Sequence, residues 1–425
     1  MIAYADLIAA ASDLSEPRQW IAFDEAARSG RWTGPRERVP AALEAVFAAC
    51  DRDGRVREAA VGRIGCLPVL ALRAADWVPQ VRARARAECL RVLDESPVAA
   101  FLTLAPVAYA VRERGGGDWL AGELDALIRG AAVLPVALTS PNRTVRRVAH
   151  LMAIEAELLT LPQLIAAART DGDTVVRRAC GEAAITRGGA RALVANGPSG
   201  ARAYALQVLA DLDLAEAALT DRNQIVRATA QVLLRRAGRD PVWVYRALPL
   251  SPAVVAGLGE TGGADDLATL LPLLGDARVR VRAAATRAVR RLGGTSVEAF
   301  LPLLEDPSPL VAREARLGLR DHRVDPDHLA GLIGPGKPVH VRIGAYRLLA
   351  AGDVWRWLEA AVTLLADDQL RVRARQDIDS WLIHRAATTY SRPSAALARR
   401  VVAMIDTADA LDDHRAKVLR FYLMP

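Results

Sequence analysis

The chain has 425 residues, 52% of them hydrophobic and 25% charged, with a net charge of +7 and a pI near 9.6. Alanine and leucine dominate, aromatic residues make up only 5%, and no alternating β-branched run bounded by turn residues argues for a sheet. No uninterrupted apolar run reaches the ~20 residues that span a bilayer. The N-terminal MIAYADLIAAASDLSEP is acidic and lacks the basic region of a signal peptide, so a soluble cytoplasmic protein is expected.

Lys337 and Lys417 are the only lysines; the positive charge is arginine. A basic surface recruits nucleic acid or acidic partners, and arginine excess also follows from a GC-rich genome. Cys50, Cys66, Cys89 and Cys180 lack CxxC spacing and sit in apolar runs. They read as small buried thiols of a reducing compartment.

Residues 1–40 read as an N-terminal helical cap. Tyr4, Leu7, Ile8 and Ala11 form a first stripe, Trp20, Ile21 and Phe23 add bulk, and Gly30 to Pro35 break the chain. Residues 41–391 read as repeats. The clearest unit runs from Ala264 to Gly294. Leu267, Leu270, Leu271 and Leu274 share one helical face, Gly275-Asp276 ends that helix, and Val281, Ala285, Ala288, Val289 and Leu292 form a second stripe. Neither helix buries its stripe alone, whereas stacked copies bury a continuous core.

The second helix carries a signature: an aspartate, four residues, a branched aliphatic, an arginine, and a small residue three further on. It appears from Asp51, Asp76, Asp171, Asp221 and Asp276, with Ser140 in the aspartate position of one copy. From Asp306 the arginine slot holds Ala312. The anchors recur at roughly 25 to 31 residues, or about twice that, and imply about eleven helix pairs. Degenerate copies fall between Glu95 and Leu134, after Gly197-Pro198-Ser199-Gly200, and from Pro252 to Gly263. Near residue 370, a stripe of Leu370, Ala374, Ile378, Trp381 and Leu382 is preferred over the alternative register, which puts Gln376, Asp379 and Ser380 in the core. Residues 392–425 read as a C-terminal helical cap.

The LLPLL…D-x-x-x-x-V-R-x-x-A pattern resembles HEAT repeats, particularly the short type also found in phycobilisome lyase subunits. The resemblance covers roughly Ala41 to Arg385. It implies an all-α superhelix, a HEAT-like solenoid with second helices on the inner face. It also implies that aspartate and arginine are structural, forming a ladder of Asp171, Arg177, Asp221, Arg227, Asp276 and Arg282, with a looser junction at Ala312.

No catalytic residues, cofactor site or metal site are assigned. Gly257 to Gly262 match G-x-G-x-x-G but lie in a repeat helix and lack a βαβ context. Asp321, His322, Asp325, Asp327 and His328 have no metal-ligand spacing and suit a polar loop. HExxH, P-loop and GxSxG motifs are absent, as are the His-Glu pairs of deoxyhypusine hydroxylase relatives. The candidate partner- or anion-binding residues are Arg143, Arg147, Arg278 and Arg280, near helix N-termini where the dipole disfavours cations, and Arg373, Asp377, Trp381 and His384 on one polar helix. The reading is a non-catalytic scaffold that binds a protein partner along the inner face. One alternative is a nucleic-acid-binding protein similar to HEAT-like DNA glycosylases, which also use tryptophans, an acidic residue and arginines. A second alternative is a cofactor-assembly or lyase-type subunit. No membrane partner is expected, and the sequence assigns no oligomeric state.

Overall fold

A computed structural model describes residues 14–29, 39–407 and 411–424, together with the backbone of 2–3 and 32–33. The expected stripe of Tyr4, Leu7, Ile8 and Ala11 lies outside the described residues. The chain divides into two units, Met1–Ala210 and Asp211–Pro425. Both are built from short helices that pair through tight loops. Among the described residues the exception to all-α structure is a two-residue parallel pairing of Ile2–Ala3 with Trp32–Thr33.

In the first unit the pairs are exemplified by Leu161–Thr170 and Thr174–Ala184. Thr160 and Gln163 form a capping box at the start, with the Thr160 N–H donating to Gln163 Oε1 at 2.8 Å. In the loop, Asp171 Oδ1 accepts the Asp173 N–H at 2.7 Å, and Asp173 Oδ1 accepts the Val175 N–H at 2.7 Å. One short sequence therefore turns the chain and caps the next helix. Val176, Cys180 and Ala184 then face the core. The degenerate copy is also a pair, Pro97–Ala110 with Asp118–Ile128. Its turn depends on Gly117, where a Cβ would fall 2.1 Å from the Val111 carbonyl oxygen.

In the second unit the helices Pro252–Thr261, Val279–Arg291, Pro309–Leu319 and Val339–Gly352 pack side by side. Val281, Ala285, Ala288 and Val289 are buried as the stripe requires. The first helix of that copy departs from expectation. It is a single α-turn, Leu267–Leu270, followed by a 3-10 segment, Leu271–Gly275, and Leu271 is exposed. Pro272 is the reason, because it removes an N–H from the i−4 ladder and its ring crowds the preceding turn. Pro302 does the same after Val297–Phe300. The preferred register at residue 370 holds for its first four members: Leu370, Ala374, Ile378 and Trp381 are buried, and Val372 is exposed. The chain ends in Ala395–Asp406 and Asp413–Leu423. Residues 41–391 contain twelve pairs among the described residues, close to the expected count.

No described helix is long and apolar enough to cross a membrane. Cys50, Cys89 and Cys180 are buried and Cys66 is half-buried, all unbridged. Burial pushes the Cys89 and Cys180 thiols up to about 12, which leaves them inert as nucleophiles.

Candidate surface on the repeat helices

The signature arginine does two jobs at once. Its NH1 donates to the carbonyl at the start of its own loop, and its Nε–NH2 edge takes a carboxylate from the following repeat. Arg57 donates to Asp51 O at 2.9 Å and, through Nε and NH2, to Asp76 at 2.9 Å each. Arg146 joins Ser140 O to Asp171. Arg282 joins Asp276 O at 2.8 Å to Asp306 at 2.8 and 3.1 Å. Arg342 makes the same link with different atoms, its Nε donating to Ile333 O at 3.1 Å and its NH2 to Asp367. A planar guanidinium suits this task because one edge can serve a carboxylate bidentately while NH1 serves a carbonyl.

The ladder differs from expectation in three places. Arg227 takes Glu260, at 2.5 and 3.1 Å, from the second helix of the next repeat, whose loop, residues 248–251, holds no acid. Arg177 clamps Asp171 O at 2.5 Å, but no described carboxylate stands opposite its Nε–NH2 edge. At Ala312 the rung is replaced rather than lost. His340 Nε2 lies 3.0 Å from Asp306 O, the carbonyl an arginine at 312 would take, and Lys337 pairs with Glu305.

The sequence candidates separate cleanly. Arg143 and Arg147 both donate to Asp173 Oδ2 of the next repeat at 2.8 Å, with the Arg143 side chain 66% exposed and that of Arg147 34% exposed. Burial opposes ionisation of Asp173, but hydrogen bonds from Arg143, the Val175 N–H and Arg147 outweigh it and hold the carboxyl well below its usual range. Arg278 folds back on Asp276 and pulls that carboxyl to about 2. Arg280 is exposed and has no ion-pair partner among the described residues. Arg373 and Asp377 sit 3.6 Å apart along one helix. His384 is exposed. Trp381 is a core residue, 4% exposed, packed edge-on against Trp355 and Tyr422 with centroids 6.0 and 5.6 Å away. It offers no stacking platform. The prominent exposed tryptophans are Trp77 and Trp243, each beside an arginine, Arg57 and Arg246.

Other apparent sites resolve into packing. In the G-x-G-x-x-G stretch, a Cβ on Gly257 would fall 2.1 Å from the Tyr245 ring, and one on Gly259 would fall 2.4 Å from Ala288 Cβ. These glycines let helices touch. Asp325 caps Pro326–Gly331, Asp327 pairs with Arg356, and His322 Nδ1 lies 3.1 Å from Gly318 O. No group of three or more metal-type ligands exists among the described residues. A cleft of about 550 Å³ bordered by Arg356, Glu359 and Arg400 has its charges mutually paired.

Sequence reasoning missed two features. One is a network in which Asp24 takes the partly exposed Arg28 and the buried Arg73, while Asp76 takes Arg73 and the buried Arg57. The other is a charged row on the second helices of the second unit. Glu260 takes Arg291, and Glu314 takes Arg287 and Arg290. Beyond them Arg313, Arg316, Arg320 and Arg347 cluster without an ion pair among the described residues. Burial first, then Arg347, Arg313 and Arg320, depress the Arg316 pKa. The spacing of Arg313, Arg316 and Arg320 on one helical face was the available signal.

The fold is an all-α helical repeat. No protein-family model matches the chain, and no curated protein matches it. Among solved structures it is similar to the crystal structure of Kap121p bound to Nup53p, at 13% identity and a TM-score of 0.30. That match covers 88% of this chain and 53% of the other, so this chain spans about half of its neighbour's length.

Proposed function

We propose that this protein is a non-catalytic scaffold that binds a protein partner along its second helices, with residues 41–391 as a short HEAT-like array between terminal caps. The observation that carries this reading is the row on Val279–Arg291, Pro309–Leu319 and Val339–Gly352. Two nearly buried carboxylates, Glu314 there and Glu260 on the neighbouring Pro252–Thr261, hold Arg287, Arg290 and Arg291, and the row ends in the cluster of Arg313, Arg316, Arg320 and Arg347, which has no ion pair among the described residues. With the neighbouring arginines already held by Glu260 and Glu314, what remains is a short cationic patch, which suits an acidic patch on a protein partner. A nucleic-acid backbone calls for a stripe of one sign.

The test is affinity capture from the native host with the wild-type chain and an R316E/R347E variant. A macromolecular protein partner retained by the wild type and lost from the variant is expected. Recovery of no partner, or equal recovery by both, overturns the reading. Binding to duplex DNA across a salt series discriminates the nucleic-acid alternative. A steep fall with salt would support that alternative, because phosphate contacts release counterions.

A further inference from the structure

The rung geometry defines what an arginine of this fold is shaped to hold. In five junctions the signature arginine takes an aspartate or glutamate of the next repeat: Arg57–Asp76, Arg146–Asp171, Arg227–Glu260 and Arg282–Asp306 from the Nε side of the guanidinium, and Arg342–Asp367 through NH2 alone. Arg177 is oriented in the same way, with its NH1 fixed on Asp171 O at 2.5 Å. The following loop, however, supplies no acid. Gly197 occupies the loop-start position and has no side chain, and a Cβ there would fall 2.5 Å from the Leu193 carbonyl oxygen. Asn196, beside it, is exposed and carries an amide. Arg82 also lacks a carboxylate, but there the glycine loop folds over it, with a Cβ on Gly116 meeting Arg82 Cδ at 3.5 Å.

At Arg177 the space stays open. A cleft of about 470 Å³ lies between Thr174–Ala184 and Ser199–Leu209, lined by Arg177, Arg178, Ser199, Gly200 and Tyr204. Its one acidic lining residue, Glu182, is 3.8 Å from Arg178 on the same helix. The helix that forms the far wall starts after Pro198, with no side chain capping its first N–H groups. Every other rung aspartate that starts a loop uses one oxygen for an N–H two residues on and shares its carboxylate with the arginine, as Asp171 and Asp306 do. The Arg177 cleft offers both kinds of donor to a carboxylate from outside. Tyr204, 44% exposed, adds an aromatic wall.

We infer that this cleft binds an aspartate or glutamate side chain of a partner protein, which completes the rung that the chain itself leaves open. The inference rests on the scaffold reading and assigns it a second contact, separate from the Arg316 cluster. Its chemistry is a bidentate guanidinium–carboxylate pair, supported by the free N–H groups of a helix N-terminus.

The test uses the full chain and a fluorescein-labelled poly-glutamate peptide, with poly-glutamine and oligothymidylate as comparators, followed by fluorescence polarisation and hydrogen–deuterium exchange. Poly-glutamate is expected to bind, poly-glutamine not, and protection to map to residues 174–182 and 198–204. Gly200→Asp places a competing carboxylate in the cleft. It meets no atom within 4 Å there and sits in the first helical turn, where an acid is favoured, so the fold is preserved. It is expected to weaken poly-glutamate roughly tenfold or more, as are Arg177→Gln and Arg177→Lys, the last because lysine keeps the charge but not the fork. Equal binding by wild type and Gly200→Asp overturns the inference, as does oligothymidylate binding at these residues in preference to poly-glutamate. If the site fails while partner capture still depends on Arg316 and Arg347, the scaffold reading stands and only this contact falls.

Discussion

Arg282 and Arg177 occupy the same position in two copies of one repeat, and their surroundings diverge. Arg282 is closed on both sides, by Asp276 O behind and Asp306 in front. Arg177 is closed behind and open in front. The closed copy has spent its charge on holding two loops together. The open copy has the same preorganised donor set at hand for something else. In a repeat protein the regular copies build the fold, and departures from the regular pattern are where a donor set becomes available.

The largest effect should come from breaking closure where it is deepest. Asp76→Ala leaves Arg57 and Arg73 buried with lost partners, and a loss of roughly 3–5 kcal/mol is expected, read as a lowered thermal midpoint by circular dichroism. Next comes the close approach of helices in the second unit. Gly259→Ala brings a methyl onto Ala288 and should cost about 1–3 kcal/mol by denaturant titration.

The direct comparison is Arg282→Ala against Arg177→Ala. The first removes a rung and a loop clamp and should cost about 1.5–3 kcal/mol, whereas the second removes a clamp only and should cost about 1 kcal/mol. Equal losses would mean that the outer edge of Arg282 adds nothing. Acid titration gives a subtler readout. Asp76, Asp173, Asp367 and Glu314 have carboxyls lowered in the folded chain. Their contribution is therefore fully present above the ordinary carboxylate range and is lost as pH falls below about 4. Thermal midpoints should hold at neutral pH and drop on acidification. The smallest effect belongs to Arg278→Ala, an exposed pairing within one loop, which should shift stability by less than about 0.5 kcal/mol.

Much of the fold was legible because its rules are local and periodic. The stripe at Leu370, Ala374, Ile378 and Trp381 could be chosen over its rival because the rival buries Gln376, Asp379 and Ser380. The partner of Arg143 and Arg147 was less visible. Asp173 lies one repeat away, and only the recurrence of an acid two residues after the loop aspartate hints at it. The Asp24–Arg73 pair joins residues 49 apart with no repeating offset, so nothing in the pattern announces it. Trp381 shows the opposite difficulty. Its neighbours on the helix are polar, yet its own face turns toward Trp355, Trp357 and Tyr422, and composition alone does not separate those faces.

The replacement at Ala312 has an evolutionary corollary. Each arginine answers only to the copy that follows it, and His340 with Lys337 bridges a junction whose arginine is gone. A junction of this kind can change its chemistry without asking anything of copies further along. Genes built on such nearest-neighbour dependence tolerate tandem duplication and drift copy by copy. A lineage could thus lengthen this array, or open a new donor set, by altering a single loop.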